Sequence, residues 1–101
     1  MGLARVVGAS MQPTLRAGDL LLVSYRRPPA VGGLVVARFA DGTIAVKRAA
    51  EERQTRTGEP GWWLLSDNAA EGVDSRHRGV VGHAEVIAVP LARLWPRPRL
   101  L

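Results

Sequence analysis

Leu34-Val35-Val36-Ala37-Arg38-Phe39-Ala40-Asp41-Gly42-Thr43-Ile44-Ala45-Val46-Lys47-Arg48-Ala49 reads as two strands around one turn. Leu34 to Phe39 has strong β composition. Asp41-Gly42 favours the type I′ turn that joins antiparallel neighbours, so Leu34–Phe39 is expected to pair with Thr43–Ala49. The second arm is small or apolar except for two bases. Thr43, Ala45 and Lys47 share one face and Ile44, Val46 and Arg48 the other, so one basic side chain must point towards the protein or a groove. An inward lysine has chemical meaning. A free amine with a pKa near ~10.4 is useless as a base at neutral pH, whereas desolvation penalises the ammonium and can lower that value by several units.

Upstream lies Ser10-Met11-Gln12-Pro13-Thr14-Leu15, closed by Gly18-Asp19. The small pair Gly8-Ala9 leaves the backbone free to bend and leaves space for another chain alongside. Pro13 has a fixed φ and disfavours helix in the residue before it, so Ser10 is expected on a loop. A serine hydroxyl becomes a nucleophile only when a base takes its proton. His77 and His83 lie in a Gly-rich, basic segment with no recognisable Ser-His-Asp arrangement. Lys47 is the better base, and Ser10 with Lys47 makes a Ser-Lys dyad plausible. The alternative for Ser10 alone is a turn serine capping its own backbone.

Around these segments, Leu3–Val7, Leu20–Tyr25 and Gly61–Ser66 read as strands, the second apolar enough to be buried on both faces. Glu51–Pro60 reads as a loop or hairpin tip, and Gly72–Gly82 as a loop. Ala84–Leu94 reads as a closing strand interrupted by Pro90, which is tolerated only at an edge or a bulge. No helical periodicity and no repeat are present. The expectation is an all-β, partly closed, barrel-like antiparallel fold in one domain, residues 1–101, with 93–101 a flexible basic tail.

The net charge is +5. It favours nucleic acid, an anionic membrane or an acidic protein, but neither a recognition helix nor a basic and aromatic motif is present, so no nucleic-acid partner is expected. There is no cysteine, and two histidines without a third ligand make no metal site, so no metal or cofactor is expected. No apolar run approaches the roughly 20 residues needed to cross a bilayer, and the first residues do not form a secretory signal. A soluble, cytoplasmic protein is expected. Peripheral membrane contact stays open through Trp62-Trp63 and the basic, apolar segment Leu94–Leu101.

Ser10-Met11-Gln12-Pro13-Thr14-Leu15, then Val46-Lys47-Arg48, then Ser66-Asp67-Asn68 and Asp74-Ser75-Arg76 resemble, in order, the boxes of the signal peptidase I family. LexA-type repressor proteases share the first two. The resemblance implies Ser10 as nucleophile, Lys47 as general base, and Asp67, Asn68, Asp74, Ser75 and Arg76 as support behind them. It also implies a substrate groove and oxyanion site along Gly8, Ala9, Ser10 and Met11. The short chain, the wording Leu65–Arg76 and the ending Leu91-Ala92-Arg93-Leu94-Trp95-Pro96 look most like the nickel-type superoxide dismutase maturation proteases. That likeness implies a bacterial cytoplasmic enzyme whose partner is the N-terminal leader of a nickel superoxide dismutase precursor. The alternatives are processing of exported preproteins, which needs an anchor or an anchoring partner, and a peptide-binding module of the same fold without turnover. Two departures from the family pattern stand out. Gly72 occupies a place where many signal peptidases have a serine that hydrogen-bonds the lysine, leaving Ser75, Ser66, a backbone carbonyl or water to orient Lys47. Gly8 occupies a place where some carry an oxyanion-stabilising hydroxyl.

Overall fold

A computed structural model describes residues 1–101. The hairpin forms at Asp41-Gly42, but not through the expected type I′ turn: only Gly42 takes a positive φ, +87°, the turn closes with the Gly42 N–H donating to Phe39 O at 2.9 Å, and the Asp41 carboxylate accepts the Thr43 N–H at 3.0 Å. In chain order the strands are β1 (Gly2–Arg5), β2 (Leu20–Ser24), β3 (Leu34–Arg38), β4 (Ile44–Gln54), β5 (Pro60–Leu65), β6 (Val81–Gly82), β7 (Val86–Trp95) and β8 (Arg99–Leu100). A helical turn, α1 (Ser75–Arg78), and a 3-10 turn, His83–Glu85, complete the chain. Neighbours run β1-β2-β7-β3-β4-β5-β6, with β8 beside β7. Every pairing is antiparallel, and the sheet curls into a half-barrel, the all-β class expected.

β3 is buried on both faces because its alternation feeds two cores. Leu34 and Val36 join Leu21, Val23, Met11 and Leu15 on one side. Val35 and Ala37 join Phe39, Ala49, Trp62 and Leu64 on the other. Met11 and Leu15 therefore anchor the serine loop in the first core. Lys47 stands directly opposite Val35 in the β3–β4 register, on the face of the second.

Five further expectations change. The hairpin tip expected within Glu51–Pro60 is present but shorter, with β4 running on to Gln54, because Glu52 and Arg53 pair with Trp62 and Gly61 of β5. Cross-strand pairing overrides polar composition there, and Arg53 lies over the Trp63 ring at 4.0 Å, a cation–π contact. The turn itself is short, with Thr55 N–H donating to Glu59 O at 2.8 Å. β2 alternates, with Leu21 and Val23 buried and Leu20, Leu22 and Ser24 partly exposed, because only one face meets a core. α1 forms inside the expected Gly72–Gly82 loop, too short for any periodicity to reveal it. Residues 93–101 are not a loose tail: β3 pairs with β7 only at Val86 and Ala88, and β8 pairs with Ala92 and Arg93 further along. Backbone groups that β3 does not reach are satisfied in this way. Finally, Ala84 and Glu85 lie in the 3-10 turn ahead of β7. Pro90 is opposite Val23 beside a register shift, the bulge position that its missing N–H allows.

Candidate active site

Gly8 opens the serine loop at φ +74° with open space around it. The loop turns on Gln12 N–H to Ala9 O at 3.2 Å and Leu15 N–H to Met11 O at 2.9 Å. Ser10 is left half-buried above the plug formed by Met11 and Leu15. Lys47 reaches it from β4. Its side chain is only 2% exposed, and Nζ lies 2.9 Å from Ser10 Oγ and 3.0 Å from Ser66 Oγ. Burial is the main influence on this amine and lowers its pKa; Asp74 opposes that and Arg76 adds to it. An amine poised towards neutrality within hydrogen-bond reach of a hydroxyl can accept that hydroxyl's proton.

Ser66, Asp67 and Asn68, at the exit of β5, each tie a different part of the site. Asn68 grips the serine loop by its backbone, its N–H donating to Ser10 O at 2.8 Å and its amide to Ala9 O at 3.2 Å. Asp67 receives the Arg48 fork at 3.1 and 2.6 Å and the Thr14 hydroxyl at 2.6 Å. Burial pushes the Asp67 carboxyl up, but the Arg48 and Thr14 hydrogen bonds outweigh it and hold the group below its ordinary value. The Asp67 N–H also meets Met11 Sδ at 3.4 Å.

Behind this layer Asp74 caps α1. Its fully buried carboxylate accepts the Ser66 N–H at 2.8 Å, the Arg76 N–H at 3.0 Å and the Arg76 guanidinium. Arg76 also donates to Ala69 O at 3.0 Å. Ser75 Oγ accepts the Leu64 N–H at 2.9 Å. These residues brace β5 and reach the Ser10–Lys47 pair only through Ser66. His77 closes the cap, its Nδ1 accepting the Asp74 N–H at 3.3 Å, and His83 stacks on Trp62.

Burial pushes the Asp74 carboxyl up, yet the hydrogen bonds from Arg76 and Ser66 prevail and hold it down to about 2, against 3.8 ordinarily. A depressed folded-state value contributes stability that is present above the unfolded pKa and lost as pH falls through the folded one. Asp74→Asn is therefore expected to cost about 2 to 3 kcal/mol at neutral pH, with the gap from wild type closing between about pH 4 and about pH 2. Denaturant titrations at several pH values check this; a gap independent of pH would contradict it.

Gly72 sits directly against Ser10 and Lys47. A Cβ there would lie 2.7 Å from Ser10 Cβ, 3.3 Å from Lys47 Nζ and 3.4 Å from Ser10 Oγ. The departure noted at this position is thus a packing requirement. Beside Ser10, a pocket of about 100 Å³ is walled by Val6, Val7, Met11, Ala45 and Val46.

The structure brings Ser10, Lys47, Asp67, Asn68 and Asp74 together as one connected network, with Ser75 and Arg76 bracing its back. Two members were not singled out from sequence, Thr14 and Arg48. The signal for Arg48 was present in its alternation with Lys47, since the face opposite an inward lysine also needed a partner for its charge.

Residues 1–81 match the Peptidase S24-like family, and the chain belongs to that family. It is also 31% identical to mitochondrial inner membrane protease subunit 1 of Schizosaccharomyces pombe, over 90% of this chain and 71% of that relative. The protein is accordingly a peptidase of signal-peptidase-like kind. No helix in it is long and apolar enough to cross a membrane.

Proposed function

We propose that the chain is a serine endopeptidase working through a Ser10–Lys47 dyad, and that it removes the N-terminal leader of a precursor protein. The observation that carries this reading is the buried amine of Lys47, 2.9 Å from Ser10 Oγ. Neutral Lys47 accepts the Ser10 proton as Oγ bonds to the scissile carbonyl carbon. The tetrahedral oxyanion forms against the Ser10 N–H, which has no acceptor within the chain. The C–N bond breaks as the lysine ammonium protonates the leaving amine, and an acyl-enzyme remains. Neutral Lys47 then takes a proton from water, whose oxygen attacks the ester, and returns it to Ser10. With Gly8 in place of a hydroxyl, the Ser10 N–H bears most of the oxyanion charge, a role in which one donor is worth about 10²-fold or more in rate.

The substrate is an extended peptide. β1 is an end strand of the sheet with a free edge, which suits strand addition. The small apolar pocket beside Ser10 suits a small side chain next to the scissile bond. The resemblance in Leu65–Arg76 makes a nickel superoxide dismutase precursor the substrate to test first. A second reading, processing of exported preproteins at a membrane, is favoured by an outward sheet row in which Leu3, Leu22, Ala92 and Leu100 are register partners. Leu3 and Leu100 are exposed there, as is nearby Trp95.

One experiment addresses both readings. The nickel superoxide dismutase precursor and a panel of exported preproteins are incubated with wild type and with Ser10→Ala, and products are identified by mass spectrometry. Wild type is expected to release the leader of the dismutase precursor and Ser10→Ala to release nothing. Cleavage confined to exported preproteins replaces the first substrate by the second, and cleavage by Ser10→Ala refutes the dyad.

A further inference from the structure

A neutral amine carries two N–H bonds and one lone pair on a freely rotating Cε–Nζ bond. Proximity to Ser10 alone therefore does not make Lys47 a base, because the lone pair must face the hydroxyl. Some group has to hold one N–H elsewhere. Gly72 has no side chain to offer, and any Cβ there would crowd Ser10 Cβ at 2.7 Å. Ser75 Oγ is engaged with the Leu64 N–H. The remaining hydroxyl is Ser66, whose Oγ accepts from Nζ at 3.0 Å and which is 8% exposed.

We propose that Ser66 is the positioning residue of the dyad: its Oγ holds one N–H of Lys47 and so turns the amine lone pair towards Ser10. The inference rests on the dyad reading above. Pinning one of three tetrahedral positions on nitrogen confines the lone pair to the other two, one of which is occupied by Ser10 Oγ. Ser66 is itself fixed from behind. Its N–H donates to the fully buried Asp74 carboxylate at 2.8 Å, and that carboxylate is clamped by Arg76. Arg76, Asp74, Ser66, Lys47 and Ser10 thus form one chain of contacts, through which the cap of α1 governs an amine it does not touch. Asp74 acts on Lys47 by placing Ser66.

The hydroxyl also affects titration. An oxygen that accepts from Nζ stabilises the ammonium more than the amine, so its removal lowers the pKa of Lys47 further. The gap left by a single hydroxyl is too small to admit water in its place.

The test compares wild type, Ser66→Ala, Ser66→Thr and Ser10→Ala on a cleavable precursor peptide across pH, with melting curves to confirm folding. Ser66→Ala is expected to lose roughly 10- to 100-fold in kcat with KM little changed, and its ascending pH limb is expected to move to lower pH. Ser66→Thr, which keeps a hydroxyl on the same carbon, is expected to recover most of the rate and the wild-type limb. Wild-type rate and limb in Ser66→Ala, with Ser10→Ala inactive, overturn the assignment and leave the dyad standing. A rate loss with an unmoved limb and no recovery by Ser66→Thr also overturns it, because that is what a purely structural role would give. Cleavage by Ser10→Ala removes the dyad and this inference with it.

Discussion

Peptide cleavage by this enzyme is expected to rise with pH along one limb whose midpoint lies below the ordinary lysine range, and Lys47→Arg is expected to abolish it. Only the neutral amine can accept the Ser10 proton, and burial favours that form. A guanidinium in the same place cannot be deprotonated in a protein, so Lys47→Arg keeps the charge and loses the base. Loss of about 10³-fold or more in kcat/KM is expected, on the scale of removing a member of a catalytic triad. Stability is expected to rise with pH as well. A folded-state lysine pKa below the unfolded one means that unfolding takes up protons below the unfolded value, so stability rises with pH from the folded pKa up to about 10.4. Lys47→Met, which fills similar space without a charge, should therefore be more stable than wild type at neutral pH, by about 1.4 kcal/mol for each unit of lowering. The difference should shrink towards alkaline pH. Initial rates from about pH 6 to about pH 10 and parallel denaturation curves measure both. A Lys47→Arg enzyme within tenfold of wild type would end the general-base account.

The second large effect is expected at Gly72. Gly72→Ala puts a methyl group 2.7 Å from Ser10 Cβ and 3.3 Å from Lys47 Nζ, so the dyad must open or the 69–73 loop must retreat. A displacement near 1 Å at a reacting pair costs about 10²-fold, and loss of roughly 10² to 10³ in kcat is expected. Backbone strain is a separate matter, because Gly72 has φ +74° and any other residue there costs about 1 to 2 kcal/mol. Gly58→Ala separates the two effects. Gly58 has φ +84° but open space around it, in the distant β4–β5 turn, so it carries the strain without the collision. Equal kinetic losses in the two variants would show that the contact with the dyad does not matter.

Much of the architecture was readable locally. Asp41-Gly42 specified its hairpin because the turn residues and both arms agree within sixteen consecutive positions, Leu34 to Ala49. The motif boxes brought Ser10 and Lys47 forward as a pair although they are 37 positions apart. Where local reading failed, a partner from elsewhere decided. Glu51–Gln54 looks like loop until Trp62 and Trp63 lie beside it. Residues 99–101 look like a frayed end until the uncovered edge of β7 takes them. Asp74-Ser75-Arg76 looks like loop charge until the carboxylate caps a single helical turn.

By itself, then, the sequence determined the central strands, the place of the hairpin turn and the residues able to do chemistry, because backbone preference and side-chain type are local properties. Which hydroxyl meets the lysine was decided only in three dimensions. Ser66, Ser75 and an unoccupied place at Gly72 are equivalent candidates along the chain. The stacking of β4, β5 and the serine loop leaves room at Nζ for the oxygen of Ser66, commits Ser75 to the backbone of Leu64, and leaves no space for a side chain at Gly72.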